Sequence, residues 1–155
     1  MRAAKGRRDA IAYFLESDKF WPPLPSIHSK FDTIFRRVLS RLPQDVFDVV
    51  ESNFIFVFDC PELDAFALNV PPIDPPPEDG KTRTIVIFSR VWEFDSDALT
   101  GLLAHEIAHS FVPQNREYVD DEAQTNATAR KWGFKKELVA LQRYKKPQSS
   151  SDKML

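Results

Sequence analysis

Apolar residues recur along this chain first at helical spacing, then in short continuous runs, then at helical spacing again. Ile27, Phe31, Ile34, Phe35, Val38, Leu39 and Leu42 fall three or four apart and trace one stripe along a helix that Ser26 can cap. Residues 7–20 before it read as a helix closed by the Pro22-Pro23-Leu24-Pro25 turn, and Pro43 suits the first turn of a third helix over about 43–52. The period then changes. Phe54 to Phe58 and Thr82 to Ser89 are rich in aromatic and β-branched residues and read as strands, with a further candidate at 65–70. Pro71 to Gly80 carries too many prolines for a helix or a sheet interior and is expected as a stiff exposed connector, or as the rim of a cleft. Helices over 96–111, 121–132 and about 135–144 complete the pattern. The tail from Lys145 has nothing to bury and is expected to be disordered. This order predicts an α+β fold, a single domain over 1–144 with a tail over 145–155.

Composition removes some function classes. Lys+Arg 21 against Asp+Glu 23 leaves a net charge of −2, so no global electrostatic case for nucleic acid exists. One cysteine, Cys60, excludes an internal disulfide and fits a reducing, cytoplasmic setting. No apolar run is long enough to span a membrane. The basic start, Arg2 to Arg8, leads into an apolar stretch cut short by Glu16, Asp18 and Lys19, which fits an ordinary first helix better than a targeting peptide.

The chemistry concentrates in His105-Glu106-Ile107-Ala108-His109, which uses two of the three histidines. On a helix, positions 105 and 109 lie one turn apart on one face, where two imidazoles can hold one zinc ion, with Glu106 beside them to move protons. Leu99, Leu103, Ile107 and Phe111 form the core-facing stripe of that helix. Asp95, Ser96 and Asp97 offer cap oxygens at its start, and Pro113 stops it. A helix so apolar is expected to be buried, and two adjacent buried imidazoles need a partner such as a metal. His28 lies off its own helix stripe and reads as a surface residue.

A catalytic zinc site takes a third protein ligand and keeps one position open. The segment from Asp120 to Phe134 reads as a helix with acidic residues in its first turn and Gly133 as its cap. Glu122, Asn126 and Ala129 share one face at i, i+4 and i+7, suiting a carboxylate ligand, a group that orients a ligand, and a small residue for close approach. Asp120 and Asp121 are rival ligands.

These residues resemble the pattern of the gluzincin metallopeptidases, H-E-x-x-H followed by a helix E-x-x-A-[D/N]-x-x-A-x-x-x-G, matched by Glu122, Asn126, Ala129 and Gly133. The stretch 54–134 is similar to the catalytic core of the CAAX-protease and heat-shock-protease group, without its membrane spans. Asn126 is similar to the ImmA/IrrE-like peptidases, and Thr125 departs from the usual Ala. The resemblance implies a minimal zincin-like fold, with a small mixed sheet packed against the His-bearing helix and the third-ligand helix. It also implies that the edge strand Thr84, Ile85, Val86, Ile87 and Phe88 receives peptide by main-chain pairing.

The expected activity is zinc-dependent endopeptidase cleavage of a peptide or protein, with one Zn²⁺ on His105, His109 and Glu122 and with Glu106 as general base. An oxyanion donor would come from Tyr118, Arg116 or Arg130. Two rivals remain open: a deformylase-like amide hydrolase using Cys60 as ligand, though Asp59-Cys60-Pro61-Glu62 does not resemble that family's motif, and a non-catalytic zinc-binding module. So small a protease is also expected to cut, or be activated by, a dedicated protein partner.

Overall fold

A computed structural model describes residues 4–27, 29–58, 83–112 and 121–152. The helices are α1 (Ala4–Leu15), α2 (Ser29–Arg41), α3 (Gln44–Asn53), α4 (Ser96–His109), α5 (Asp121–Lys131) and α6 (Lys135–Asp152), and the strands are β1 (Phe20–Trp21), β2 (Phe54–Phe58) and β3 (Arg83–Ile87). They fall into two units, Met1–Trp92 and Glu93–Leu155. Helix and a small sheet thus coexist, consistent with the α+β class. The candidate strand at 65–70, the proline-rich connector, Cys60 and His28 lie outside the described residues.

The first unit is built on the predicted stripe. Phe31, Ile34, Phe35, Val38 and Leu39 of α2 are all buried, and so are Ile27 and Leu42 at its ends. They meet a central strand, β2, in which every residue is buried, as a continuous apolar run requires when both faces are covered. Phe20, Phe35 and Phe56 interlock at ring-centroid distances of 4.9–5.3 Å, and pairs of this kind add about 0.5–1.5 kcal/mol beyond their burial. Arg7 ties α1 to the end of α2. Its Nη1 donates to the Leu39 and Leu42 carbonyls at 2.8 and 3.1 Å, and its guanidinium lies 4.4 Å from the Phe47 ring centre. A cation there satisfies carbonyls that a helix C-terminus leaves unbonded.

Two expectations are corrected here, beside that of a disordered tail from Lys145, since α6 runs on to Asp152. Helix α1 ends at Leu15, short of residue 20, because the Ser17 hydroxyl takes the Phe14 carbonyl at 2.6 Å and accepts from the Lys19 amide at 3.3 Å. Phe20–Trp21 is therefore freed to pair with Phe56 and Val57. The sheet, order β1-β2-β3, is all parallel among the described residues rather than mixed. Both connections allow it: α2 and α3 intervene between β1 and β2, and residues 59–82 between β2 and β3, each long enough for the crossover that parallel pairing needs. In β3, at one end of that order, Ile85 and Ile87 are buried while Thr84 and Val86 are exposed, as is Phe88 just after the strand.

In the second unit α4 is the buried element. Asp95 is its cap, accepting from the Ala98 amide at 2.8 Å, and the Tyr144 hydroxyl holds the other Asp95 oxygen at 3.2 Å. Leu99, Leu103 and Ile107 are buried as their spacing predicts. Gly101 lets α4 and α6 approach closely: a Cβ placed there would lie 2.4 Å from the Glu137 carbonyl oxygen. Gly133, two residues past the end of α5, closes the helix as expected, and its φ of 101° needs glycine. Its amide bonds the Arg130 carbonyl at 2.9 Å and that of buried Phe134 bonds Ala129 at 3.1 Å, the paired closure of a Schellman motif. No described helix is long and apolar enough to cross a membrane.

Candidate metal centre

Helices α4 and α5 supply every side chain of the site, and both belong to the second unit. One turn of α4 separates His105 from His109, so both rings leave the same face, with centroids 4.6 Å apart and planes at 89°. Helix α5 answers with Glu122, Thr125 and Asn126, at i, i+3 and i+4, which also form a single face. Ala129, one turn further on, is fully buried, in keeping with a small residue where helices pack closely.

The carboxylate of Glu122 sits across both rings. Its Oε2 is 3.1 Å from His105 Nε2 and its Oε1 is 3.1 Å from His109 Nε2. His105, His109 and Glu122 form a group able to hold a metal ion, with one donor atom from each lying within 4.8 Å of the others. The other nitrogen of each ring is also engaged. His105 Nδ1 lies 2.8 Å from Asn126 Oδ1, and His109 Nδ1 lies 3.2 Å from Thr125 Oγ1.

These contacts constrain the protons. The Asn126 oxygen can only accept, so His105 Nδ1 carries the hydrogen and donates it. A neutral ring then turns a lone pair at Nε2 toward a carboxylate that is also an acceptor. Two acceptors 3.1 Å apart repel unless a proton or a metal cation lies between them. One divalent cation between them would relieve that contact and could take the His109 Nε2 lone pair as well. It also spares the chain an imidazolium at His105, whose side chain is only 3% exposed.

Exposure shows which side is open. His105 forms the buried floor, while the side chains of His109 and Glu122 are 35% and 60% exposed. Glu106 follows His105 on α4 and is half-buried; the helical turn of about 100° per residue sets it beside the His109 edge of the site.

The other residues singled out in the sequence separate clearly. Arg116, Tyr118 and Asp120 lie outside the described residues, as does the side chain of Asp121. Arg130 is exposed in the last turn of α5, eight residues on from Glu122, about 12 Å along the axis. Thr84, Ile85, Val86, Ile87 and Phe88 belong to the first unit. Thr125 is the residue that sequence reasoning missed. It stood out only as a departure from alanine, although its i+3 spacing from Glu122 and its place beside Asn126 put a hydroxyl on the same helix face.

Comparison with family models, with curated proteins and with solved structures returned no significant match. The reading of this site therefore rests on its own chemistry.

Proposed function

We propose that this chain is a zinc-dependent endopeptidase of gluzincin type, with His105, His109 and Glu122 as the protein ligands. The observation that carries this reading is the single carboxylate facing the Nε2 atoms of two rings whose Nδ1 atoms are already engaged. The donor chemistry fits zinc. Two imidazoles and a carboxylate are a common catalytic set, and bond lengths of about 2.0–2.1 Å give a tetrahedral edge of about 3.3–3.4 Å. Each 3.1 Å separation ends on a different Glu122 oxygen, and with one donor atom from each residue the three atoms lie within 4.8 Å of one another.

Zinc held there would supply Lewis acidity, lowering the pKa of water toward about 7 and polarising a carbonyl. The chain's own residues would do the rest. His105 would hold the ion from the buried side, and His109 and Glu122 from the open side. Asn126 keeps the His105 lone pair directed at the site by accepting from the opposite nitrogen. Glu106 would take a proton from the attacking water on its carboxylate and deliver it to the departing amide nitrogen.

Glu106→Gln tests the reading. It keeps the side-chain volume and all three ligands but cannot hold the proton. Zinc content should stay at one per chain, while cleavage of unfolded casein or a peptide library should disappear, as it should for the wild type under chelator. Cleavage at the wild-type rate by Glu106→Gln would remove the general-base assignment. Zinc without cleavage by any wild-type sample would favour a binding module instead.

A further inference from the structure

We infer that Thr125 is a positioning residue for His109, and that the Thr125-Asn126 pair orients both histidine ligands from one turn of α5. The inference rests on the metal reading and extends it to a residue that the H-E-x-x-H pattern and the downstream glutamate do not involve.

Thr125 is fully buried, although it carries a hydroxyl. A buried hydroxyl without a partner is costly, and among the described residues this one meets His109 Nδ1 at 3.2 Å. The parallel with the neighbouring residue is close. Asn126 reaches His105 Nδ1, Thr125 reaches His109 Nδ1, and Glu122 faces the Nε2 atom of each ring. All three come from one face of α5, so a single helix turn can orient two rings and supply one ligand. Accepting from Nδ1–H, the Thr125 oxygen keeps the hydrogen on that nitrogen and leaves the Nε2 lone pair for the metal. The need is greater at His109 than at His105. Its side chain is 35% exposed against 3%, so packing restrains its ring less.

Packing and hydrogen bonding predict opposite orders for two substitutions. Thr125→Val keeps the shape and removes the hydroxyl; Thr125→Ser keeps the hydroxyl and removes a methyl group. Zn²⁺ affinity would be measured on the full chain by competition with a chromogenic chelator, together with urea unfolding of the metal-free protein. The expected result is a loss of about tenfold or more in Thr125→Val at wild-type stability, with Thr125→Ser within about threefold of wild type. Wild-type affinity in a folded Thr125→Val, or a larger loss in Thr125→Ser, overturns the inference and leaves the metal reading standing. A wild type that takes up no zinc overturns both.

A second measurement needs no variant. Long-range ¹H–¹⁵N spectra of the zinc-loaded wild type should place the hydrogen of the His109 ring on Nδ1. A His109 ring without hydrogen on Nδ1 overturns the inference even if Thr125→Val fails to fold.

Discussion

Adding one methyl group to Gly101 should loosen the helix pair that carries the site. An alanine Cβ at this position would lie 2.4 Å from the Glu137 carbonyl oxygen, 2.7 Å from its carbonyl carbon and 3.1 Å from the Leu138 nitrogen. Ordinary contacts begin near about 3.5 Å, so α6 must retreat from α4 by about 1 Å. The obstructing atoms are all main chain, and no rotamer change can relieve them. Overpacking costs about 1–3 kcal/mol, and main chain that cannot yield places this case at about 2–3 kcal/mol; alanine returns up to about 1 kcal/mol through its better helix propensity. A net loss of about 1–2 kcal/mol is expected, equivalent to roughly 3–6 °C in Tm for a chain of this length. His105 lies one turn along α4 from Gly101, and metal coordination tolerates only about 0.2 Å of misplacement, so zinc affinity should fall as well. Urea unfolding of the metal-free protein and zinc competition measure the two effects separately. A Gly101→Ala protein within about 0.5 kcal/mol of wild type would refute the close approach of α4 and α6 at this point.

Three further outcomes are expected. Glu122→Ala should lose stoichiometric zinc, since both Nε2 atoms face that carboxylate; full retention in metal analysis would transfer the ligand role to Asp120 or Asp121. Asn126→Asp should bind zinc at least as tightly as wild type, because a carboxylate accepts from His105 Nδ1 more strongly than an amide oxygen does; a clear drop in competition titrations would count against the Nδ1–H assignment. Burial holds the Lys19 ammonium below the ordinary lysine value of 10.5, with Glu51 and Asp18 pulling the other way. The unfolded chain then keeps this proton to higher pH than the folded one, so stability should rise as pH climbs through the window just under 10.5. Urea midpoints across that window should rise for wild type and stay flatter for Lys19→Met, and equal slopes would exclude the linkage.

Local pattern alone was sufficient for the helices. The stripe from Ile27 to Leu42 and the one through Leu99, Leu103 and Ile107 are buried as their periods predict, and Gly133 caps α5 where a left-handed residue was needed. Each of these depends on residues within a few turns of one another, so the chain sequence contains the information. The pairing of His105 with His109 is equally local, since one helical turn brings them together whatever the remainder of the fold does.

Convergence between elements was not legible in that way. Two-residue β1 is too short to produce a period, and its parallel pairing with β2 depends on a chain crossing through α2 and α3. Nothing near Gly101 in the sequence shows that the main chain of Glu137 passes against it, 36 residues away. Thr125 looked like a departure from alanine until packing put His109 beside its hydroxyl. Spacing along α5 nominated Glu122, but only the crossing of α4 and α5 set one carboxylate against both Nε2 atoms. Periodicity specifies which face of a helix is apolar; which residues of another helix meet that face is decided by the packing of the whole unit, where contacts join positions far apart in the chain.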